Sequence, residues 1–580
     1  MSDLAELRRR PRTESPDRST ERLIERVRTS VIGDDAVVEG PFGPRRLVYA
    51  DYTASGRALS FIEDRIREDV LPMYANTHTE ASATGLHTTT LREEARAIVH
   101  AAVNGGEGDV VLFWGSGVTG AIDKLRRVLG LVQQQGGRDR PAHECPVVFV
   151  GPYEHHSNEL PWRESDADVI AIREAASGGV DLDHLEEELG NYADRPLRIG
   201  SFSAASNVTG ILTDVDAVST VLHRHGALAC WDYATAGPYL PIDMNPTPGP
   251  AGEGRDLPWK DAVFLSPHKF VGGPGTPGVL VAKRALFRNE VPTVPGGGTI
   301  LFVAPKRQSY HPDPEIREEG GTPAIVESIR AGLVFSLKEH VGTDEIRRRE
   351  HDFARRALAS WGANPNIHLL GNTDAERLAI VSFGIRYGRG LLHSNFSTAV
   401  LSDLFGIQSR SGCFCAGPYI HRTYPIDDDW SMRMDDEVSR GHVGAKLSFV
   451  RIGFNYFISE TVFDYILEAV HILANDGWKL LPRYRFEPNS GLWTHVDGPG
   501  RPRVSLRGIS FGDDEEAVAR ATEPESALPA RLEEARRIIR DVEANPSDGP
   551  IDGPVMTPEF ERIRWFPLPG EALLELQARR

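Results

Sequence analysis

The chain has 580 residues, 40% of them hydrophobic, and a formal net charge of −18. That is enough apolar material for two or more domains with a substantial core, while basic residues gather only in short clusters such as 8–10 and 347–349, so nucleic-acid binding has little support. Four cysteines make no disulfide framework, the first 28 residues lack the apolar segment of a secretory signal, and no run of about 18 apolar residues occurs, so a soluble protein of a reducing, cytoplasmic compartment with no membrane partner is expected.

In chain order, residues 1–45 read as a polar lead with one helical stretch at 20–29. Residues 46–75 open a small domain at Leu47-Val48-Tyr49-Ala50-Asp51, which resumes after the helical region starting near Ala324 and fills 326–480. Between them, in 76–325, apolar runs at 109–113, 146–150, 197–203, 227–231, 261–265 and 278–282 alternate with amphipathic segments. That alternation predicts an α/β large domain with a doubly wound, mostly parallel sheet. Residues 244–260 are Pro/Gly-rich and predict a surface loop; 424–446 are rich in Asp and Arg; 481–580 mix short apolar pieces at 508–511 and 565–574 with a charged helical run at 527–545.

Chemistry concentrates at the ends of these runs. Lys269 closes Phe264-Leu265-Ser266-Pro267-His268-Lys269, and Gly272, Gly273, Gly275 and Gly278 follow at once. A lysine delivered by a buried strand beside a glycine-rich turn is the arrangement that a Schiff base to an aldehyde cofactor would need, while closure of a surface turn is an equal reading of this window alone. Asp232 ends the run Ala227-Leu228-Ala229-Cys230-Trp231, where open α/β sheets bind ligands, and a buried carboxylate there can keep a pyridine nitrogen protonated, as pyridoxal phosphate requires. The loop Trp114-Gly115-Ser116-Gly117-Val118-Thr119-Gly120 leads from a strand into an amphipathic stretch, and free N–H groups at such a helix start attract phosphate, with Thr119 as a side-chain donor. Its glycines also spell a dinucleotide fingerprint, but the next strand ends in Gly151-Pro152-Tyr153-Glu154, beyond the spacing of a ribose-binding acid.

Taken together, Glu154-His155-His156-Ser157-Asn158 with Pro161-Trp162, then Ser206-Asn207-Val208-Thr209-Gly210, Asp232, and Ser266-Pro267-His268-Lys269 resemble the fold-type I, class V pyridoxal-phosphate enzymes, within them the cysteine desulfurase and selenocysteine lyase branch. The resemblance covers about residues 45–475. It implies that Lys269 carries the cofactor and shuttles the substrate's α-proton, that Asp232 holds the pyridinium, and that His155 stacks on the ring while Asn207 bonds its phenolic oxygen. Val118, Thr119, Ser266 and His268 would bind the phosphate, and Thr322 in Glu319-Gly320-Gly321-Thr322-Pro323 would reach the phosphate of a second subunit in a homodimer.

By the same resemblance, Gln408-Ser409-Arg410-Ser411-Gly412-Cys413-Phe414-Cys415 matches a loop whose arginine lies five residues before a catalytic cysteine, so Cys415 is the nucleophile. Attack on the sulfur of bound L-cysteine needs a soft, ionised nucleophile, and the products would be alanine and a persulfide that a protein acceptor could take. Cys413 stands where the branch commonly carries a histidine. Without the family, the Cys-x-Cys pair reads as a zinc site lacking two regular ligands, as inert packing, or as a loop, which the flanking glycine and proline favour; no metal is expected. Arg451 in Phe449-Val450-Arg451-Ile452-Gly453 resembles the arginine that grips the substrate carboxylate, with Arg410 second, although an arginine in an alternating strand can also point outward. Asn76 and His78 belong to the active-site entrance in the resembling pattern. Other reactions of class V, with Cys415 a spectator, and a cofactor-free scaffold are the alternatives. For 481–580 three roles stay open: capping a dimer, docking a sulfur acceptor, or shielding the site.

Overall fold

The six apolar runs become six strands of one sheet because each is buried on both faces. The computed structural model describes residues 18–132, 141–247, 258–388, 390–424, 427–498, 505–508, 520–546 and 553–579. Within these, the first compact unit comprises the described chain up to Ile32, then 53–351 and 374–378. Its sheet contains β1 (Asp109–Phe113), β2 (Val147–Val150), β3 (Asp168–Ala171), β4 (Arg198–Ser203), β5 (Leu228–Asp232), β6 (Ala262–Leu265) and β7 (Val279–Lys283). The seven strands lie in the order β1-β7-β6-β5-β4-β2-β3. Strand β7 runs antiparallel to both β1 and β6, and the remaining pairs are parallel. Every residue of β1, β2 and β6 is buried, the signature of strands covered on both faces.

Strand β3 is the element that the apolar runs did not reveal. It is an edge strand with three partly buried residues and the fourth exposed, so its sequence carries too little apolar contrast to stand out. The N-terminal helix α1 (Arg18–Thr29) buries Thr20, Ile24 and Val27 along one stripe. Helices α2 (Ala83–Ala102), α3 (Gly117–Val128) and α4 (His156–Arg163) follow, and α5 (Ile325–Val341) packs along α2. Residues 53–75, expected with the small domain, belong instead to this unit. The reason is local: Gly56 donates its N–H to the His268 carbonyl at 2.8 Å, and a Cβ on Gly56 would fall 1.9 Å from the Phe270 carbonyl oxygen.

The second unit comprises 33–52, 352–373 and the described chain from Ala379 onward. Its core sheet joins β10 (Ile367–Leu369), β11 (Ile380–Tyr387), β12 (Arg410–Gly412) and β13 (Phe449–Gly453) in the antiparallel order β10-β11-β13-β12. The first unit also holds an antiparallel hairpin of β8 (Ile300–Ala304) with β9 (Arg307–Tyr310). Helices α6 (Ser394–Phe405) and α7 (Glu460–Asp476) bury apolar faces in the second unit. The segment 424–446 holds a helix at Asp428–Ser439, while most of the 244–260 loop lies outside the described residues.

The C-terminal extension is built into this second unit. Helix α8 (Leu528–Ala544) packs on α7, and a hairpin of β14 (Tyr484–Glu487) and β15 (Leu492–His495) faces α6. The extension's rings surround His393, which caps α6: Trp565 stacks on it at 5.2 Å and 17°, and Phe566 meets it edge-on at 4.6 Å. Burial in this aromatic nest pushes the His393 imidazole down to about 3, so it stays neutral, with Nδ1 accepting from Asn395 N–H. Trp565 Nε1 also donates to the Ala445 carbonyl at 3.1 Å. Replacing Phe566 by Ala should therefore destabilise the protein by about 3–5 kcal/mol, read as a lower urea midpoint, because the ring fills a closed aromatic cluster.

Candidate active site

Parallel strands deliver their carboxyl ends to one edge, and the chemistry-bearing residues of the first unit stand there. Asp232 is the last residue of β5, in register with Ser203 of β4 and Phe264 of β6. Its Oδ1 accepts the Ala234 N–H at 2.7 Å. Burial raises this carboxyl to about 6, although the Ala234 hydrogen bond and the nearby Lys269 charge pull it down. Lys269 itself lies half-buried in the single turn Pro267–Lys269 that follows β6. His268, pushed down to about 4 by burial and by the charge of Lys269, is neutral at physiological pH.

Beside this pair the start of α3 forms an anion cradle. Val118 donates its N–H to Ser266 Oγ at 2.9 Å. Gly117 has φ of +55°, and a Cβ there would fall 2.7 Å from Ser266 Oγ and 2.9 Å from His268 Cε1, so only glycine leaves this hollow open. Thr119, exposed at its rim, shares a 2.6 Å hydrogen bond with Ser157. N–H groups at a helix start with two hydroxyls and an imidazole form a donor set that suits a phosphate group. His155 caps α4 by accepting the Ser157 N–H on Nδ1 at 3.0 Å, which leaves the proton of the neutral ring on Nε2. Asn207 is buried in the turn whose Ser206 Oγ accepts the Val208 and Thr209 N–H groups.

Three acidic residues that sequence reasoning left without a role organise this edge. Glu154 accepts from Gly151 N–H, Ser203 N–H, Ser203 Oγ and Asn158 Nδ2, tying the ends of β2 and β4 to α4. Complete burial lifts it to about 7, with Asp232 adding in the same direction, so the two neighbouring carboxyls do not both ionise readily. Glu319 accepts the Phe113 N–H at 2.7 Å and pairs with Arg96 and Arg92, whose guanidiniums hold it below the usual carboxylate range against burial. Glu318 pairs with the buried Lys124 of α3 at 3.2 Å, and that ammonium also lies 3.4 Å from the centre of the Trp114 ring. These ion pairs bolt the glycine loop to the segment that carries Thr322. Their only sequence signal was the occurrence of acids in otherwise apolar or glycine-rich surroundings.

Thr322, Asn76 and His78 are exposed in the same unit. His78 has φ of 65° and stands against Gly298, whose Cβ position is 3.4 Å from its Nε2.

In the second unit Arg451 is buried, which sets aside the outward-pointing reading. Asp51, an acid of the opening small-domain motif that received no role, receives Arg451 Nη2 at 2.9 Å on one oxygen and Arg410 Nε at 2.9 Å on the other. Two guanidiniums on one carboxylate leave a single net positive charge, the balance that a substrate carboxylate requires. Asp51 reaches them because Val48–Tyr49 pairs with Ile407–Gln408 and Asp51 bridges to Gly453. Cys415 is exposed, which removes it from inert packing, and Cys413 is half-buried; Phe414 between them is buried with the Arg451 guanidinium 5.0 Å from its ring centre.

The comparisons with known proteins agree with this architecture. The chain belongs to the aminotransferase class-V family, whose model matches residues 48–458. A probable cysteine desulfurase of Streptomyces coelicolor is 28% identical over 383 residues, 64% of this chain and 84% of that protein. A probable cysteine desulfurase of Halalkalibacterium halodurans is 26% identical over 64% of this chain and 84% of its own length. Among solved structures, the apo cysteine desulfurase of Thermococcus onnurineus NA1 shares the fold with a TM-score of 0.59 at 23% identity, over 74% of this chain and 94% of that one. The cysteine desulfurase CsdA of Escherichia coli also gives 0.59, at 19% identity over 79% and 98%. The fold is that of the fold-type I enzymes, an α/β large domain with a smaller α+β domain.

The raised Asp232 carboxyl makes a pH-dependent prediction. An unfolded aspartate releases its proton near ~3.9, whereas the folded one holds it to about 6. This group's contribution to stability is therefore present at low pH and lost as pH rises through about 6. Asp232→Asn should raise the thermal midpoint of the cofactor-free protein at pH 8, with the gain fading toward pH 4.

Proposed function

We propose that this chain is a pyridoxal-phosphate enzyme that cleaves the carbon–sulfur bond of L-cysteine, producing L-alanine and a persulfide on Cys415. The observation that carries the reading is the placement of Lys269 and the buried Asp232 beside the Gly117 cradle on one sheet edge. The desulfurase names of the similar proteins support the choice of reaction.

When bound, the cofactor's protonated ring takes up the electron pair set free at the substrate carbon. Ser266, His268 and Thr119 would hold its phosphate beside Val118, whose N–H is bonded to Ser266 Oγ, and the Asp232 carboxylate would keep its ring nitrogen protonated by direct charge pairing. Paired in this way, Asp232 has its charge compensated and the cost of burying it falls. His155 would lie against the ring, and Asn207 would donate to its phenolic oxygen. Lys269 would hold the aldehyde group, and its amine would move the proton at the substrate's α-carbon. Arg451 and Arg410, oriented by Asp51, grip the substrate carboxylate. The Cys415 thiolate attacks the substrate sulfur; the new S–S bond forms as the C–S bond breaks, and a proton added at the freed carbon completes alanine.

Mixing the purified protein with pyridoxal phosphate and borohydride should fix the label on Lys269, and Lys269→Ala should abolish it. Cys415→Ser should retain the cofactor's visible spectrum while alanine and sulfide formation are lost; unchanged turnover would refute the desulfurase reading and leave another class V reaction. Arg451→Ala should raise KM for cysteine roughly 100-fold, the loss of charge-assisted hydrogen bonds to a carboxylate.

The working form is a homodimer. The β8–β9 hairpin exposes Leu301, Phe302 and Val303 at 65%, 55% and 56%, next to Ile300 at 42%, an apolar run that a second copy would cover. Phe302→Lys should shift the protein toward monomer in sedimentation and weaken cofactor retention, since Thr322 then loses access to the other subunit's phosphate.

A further inference from the structure

The Cys-x-Cys pair lies in one tight turn. Ala416 donates its N–H to the Cys413 carbonyl at 3.0 Å, and the two central residues, Phe414 and Cys415, have φ of 54° and 55°. Two successive left-handed residues define the hairpin-type turn that ordinarily selects asparagine or glycine, yet here a phenylalanine and a cysteine occupy it. The conformation is held from below: Phe414 is buried, with Arg451 5.0 Å from the centre of its ring, and Arg451 is itself fastened to Asp51. With the central ring anchored inward, Cys415 is left exposed and Cys413 half-buried at the foot of the same turn, and neither is in a disulfide.

In a tight reversal, Cα atoms two residues apart lie roughly 5–6 Å from one another, set by the ~3.8 Å step between neighbours, and that spacing falls within the roughly 4.4–6.8 Å range from which sulfur–sulfur bonds form. A persulfide extends a further ~2 Å beyond Cys415 Sγ. Resting on the desulfurase reading above, we propose that Cys413 is a second sulfur-carrying thiol, which takes the outer sulfur from the Cys415 persulfide before it leaves the protein. The Cys413 thiolate attacks that outer sulfur; the bond from Cys413 Sγ to it forms as its bond to Cys415 Sγ breaks. Cys415 departs as a thiolate, the proton stays on the transferred sulfur, and no oxidant or reductant is consumed. Cys415 is thereby ready for a second substrate while the first sulfur waits on Cys413 for an external thiol. Exchange between two alkyl thiols of one turn is near balance, so the two persulfides should be populated within roughly tenfold of each other.

The test uses the holoenzyme with excess L-cysteine and no added acceptor, quenched with iodoacetamide and mapped by fragmentation of the tryptic peptide 411–422. The expected result is a burst of roughly two alanines per chain in the wild type and one in Cys413→Ser, with the extra sulfur on both cysteines in the wild type, on Cys415 alone in Cys413→Ser, and on neither in Cys415→Ser. An intact cofactor spectrum in each variant checks folding. Wild-type sulfur confined to Cys415 with a single-alanine burst would overturn the relay and leave the desulfurase reading standing. Sulfur on Cys413 in Cys415→Ser would overturn both the order of transfer and the assignment of Cys415. A Cys413–Cys415 disulfide in place of the second persulfide would overturn the relay by showing attack on the inner sulfur. Sulfur on neither cysteine of the wild type would remove the desulfurase reading and the relay with it.

Discussion

A carboxylate held out of water at the end of a central strand is the constraint on which the first unit's chemistry depends. Asp232 ends a strand flanked by β4 and β6 and is buried, and burial lifts its carboxyl to about 6 against the pull of the Ala234 hydrogen bond and the Lys269 charge. A nearby cation offsets the cost of burying such a group, and Lys269 does so only in part. The unmet remainder makes the edge receptive to a further positive charge. Glu154, across β4 from it and lifted to about 7, deepens the same demand by placing a second acid in the same low-dielectric neighbourhood.

The scaffold around that acid is built for fixed positions. Glu154 uses both oxygens to tie two strand ends and a helix, and Glu319 ties β1 to two arginines of α2. Such fully hydrogen-bonded buried ions add little net stability, but they lose much if one partner is removed, which makes them effective at fixing geometry. The second unit follows the same logic on a smaller scale: Asp51 orients Arg451 and Arg410, and Arg451 in turn covers the Phe414 ring that holds the cysteine turn in a left-handed conformation. Acid, arginine, aromatic ring and thiol turn form a single chain of contacts.

Legibility in the sequence followed burial. Strands β1, β2, β4, β5, β6 and β7 begin and end within a residue of the apolar runs, because a strand covered on both faces must be apolar throughout. The edge strand β3, half-exposed, carried no such mark. Lys269, Asp232 and the glycine loop were readable because each sits directly after an apolar run. Glu154, Asp51 and Glu319 were visible as letters but mute as roles, since their partners stand 3 to 49, 359 to 400 and 206 to 227 residues away in the chain. The extension at 481–580 offered scattered aromatics that only their meeting around His393 explains.

By itself the sequence determined the alternation of buried strands and helices, the positions of the lysine, aspartate and glycine loop at strand ends, and the presence of a paired-cysteine loop. These follow from local rules: hydrophobic period, chain reversal and residue chemistry act over a few neighbours. Only the tertiary structure decided that Glu154 and Asp232 share one buried edge, that one carboxylate serves two arginines, and that Phe414 and Cys415 adopt left-handed backbone. Electrostatics and strain depend on which distant segments exclude water from a group, and no local pattern in the chain encodes that.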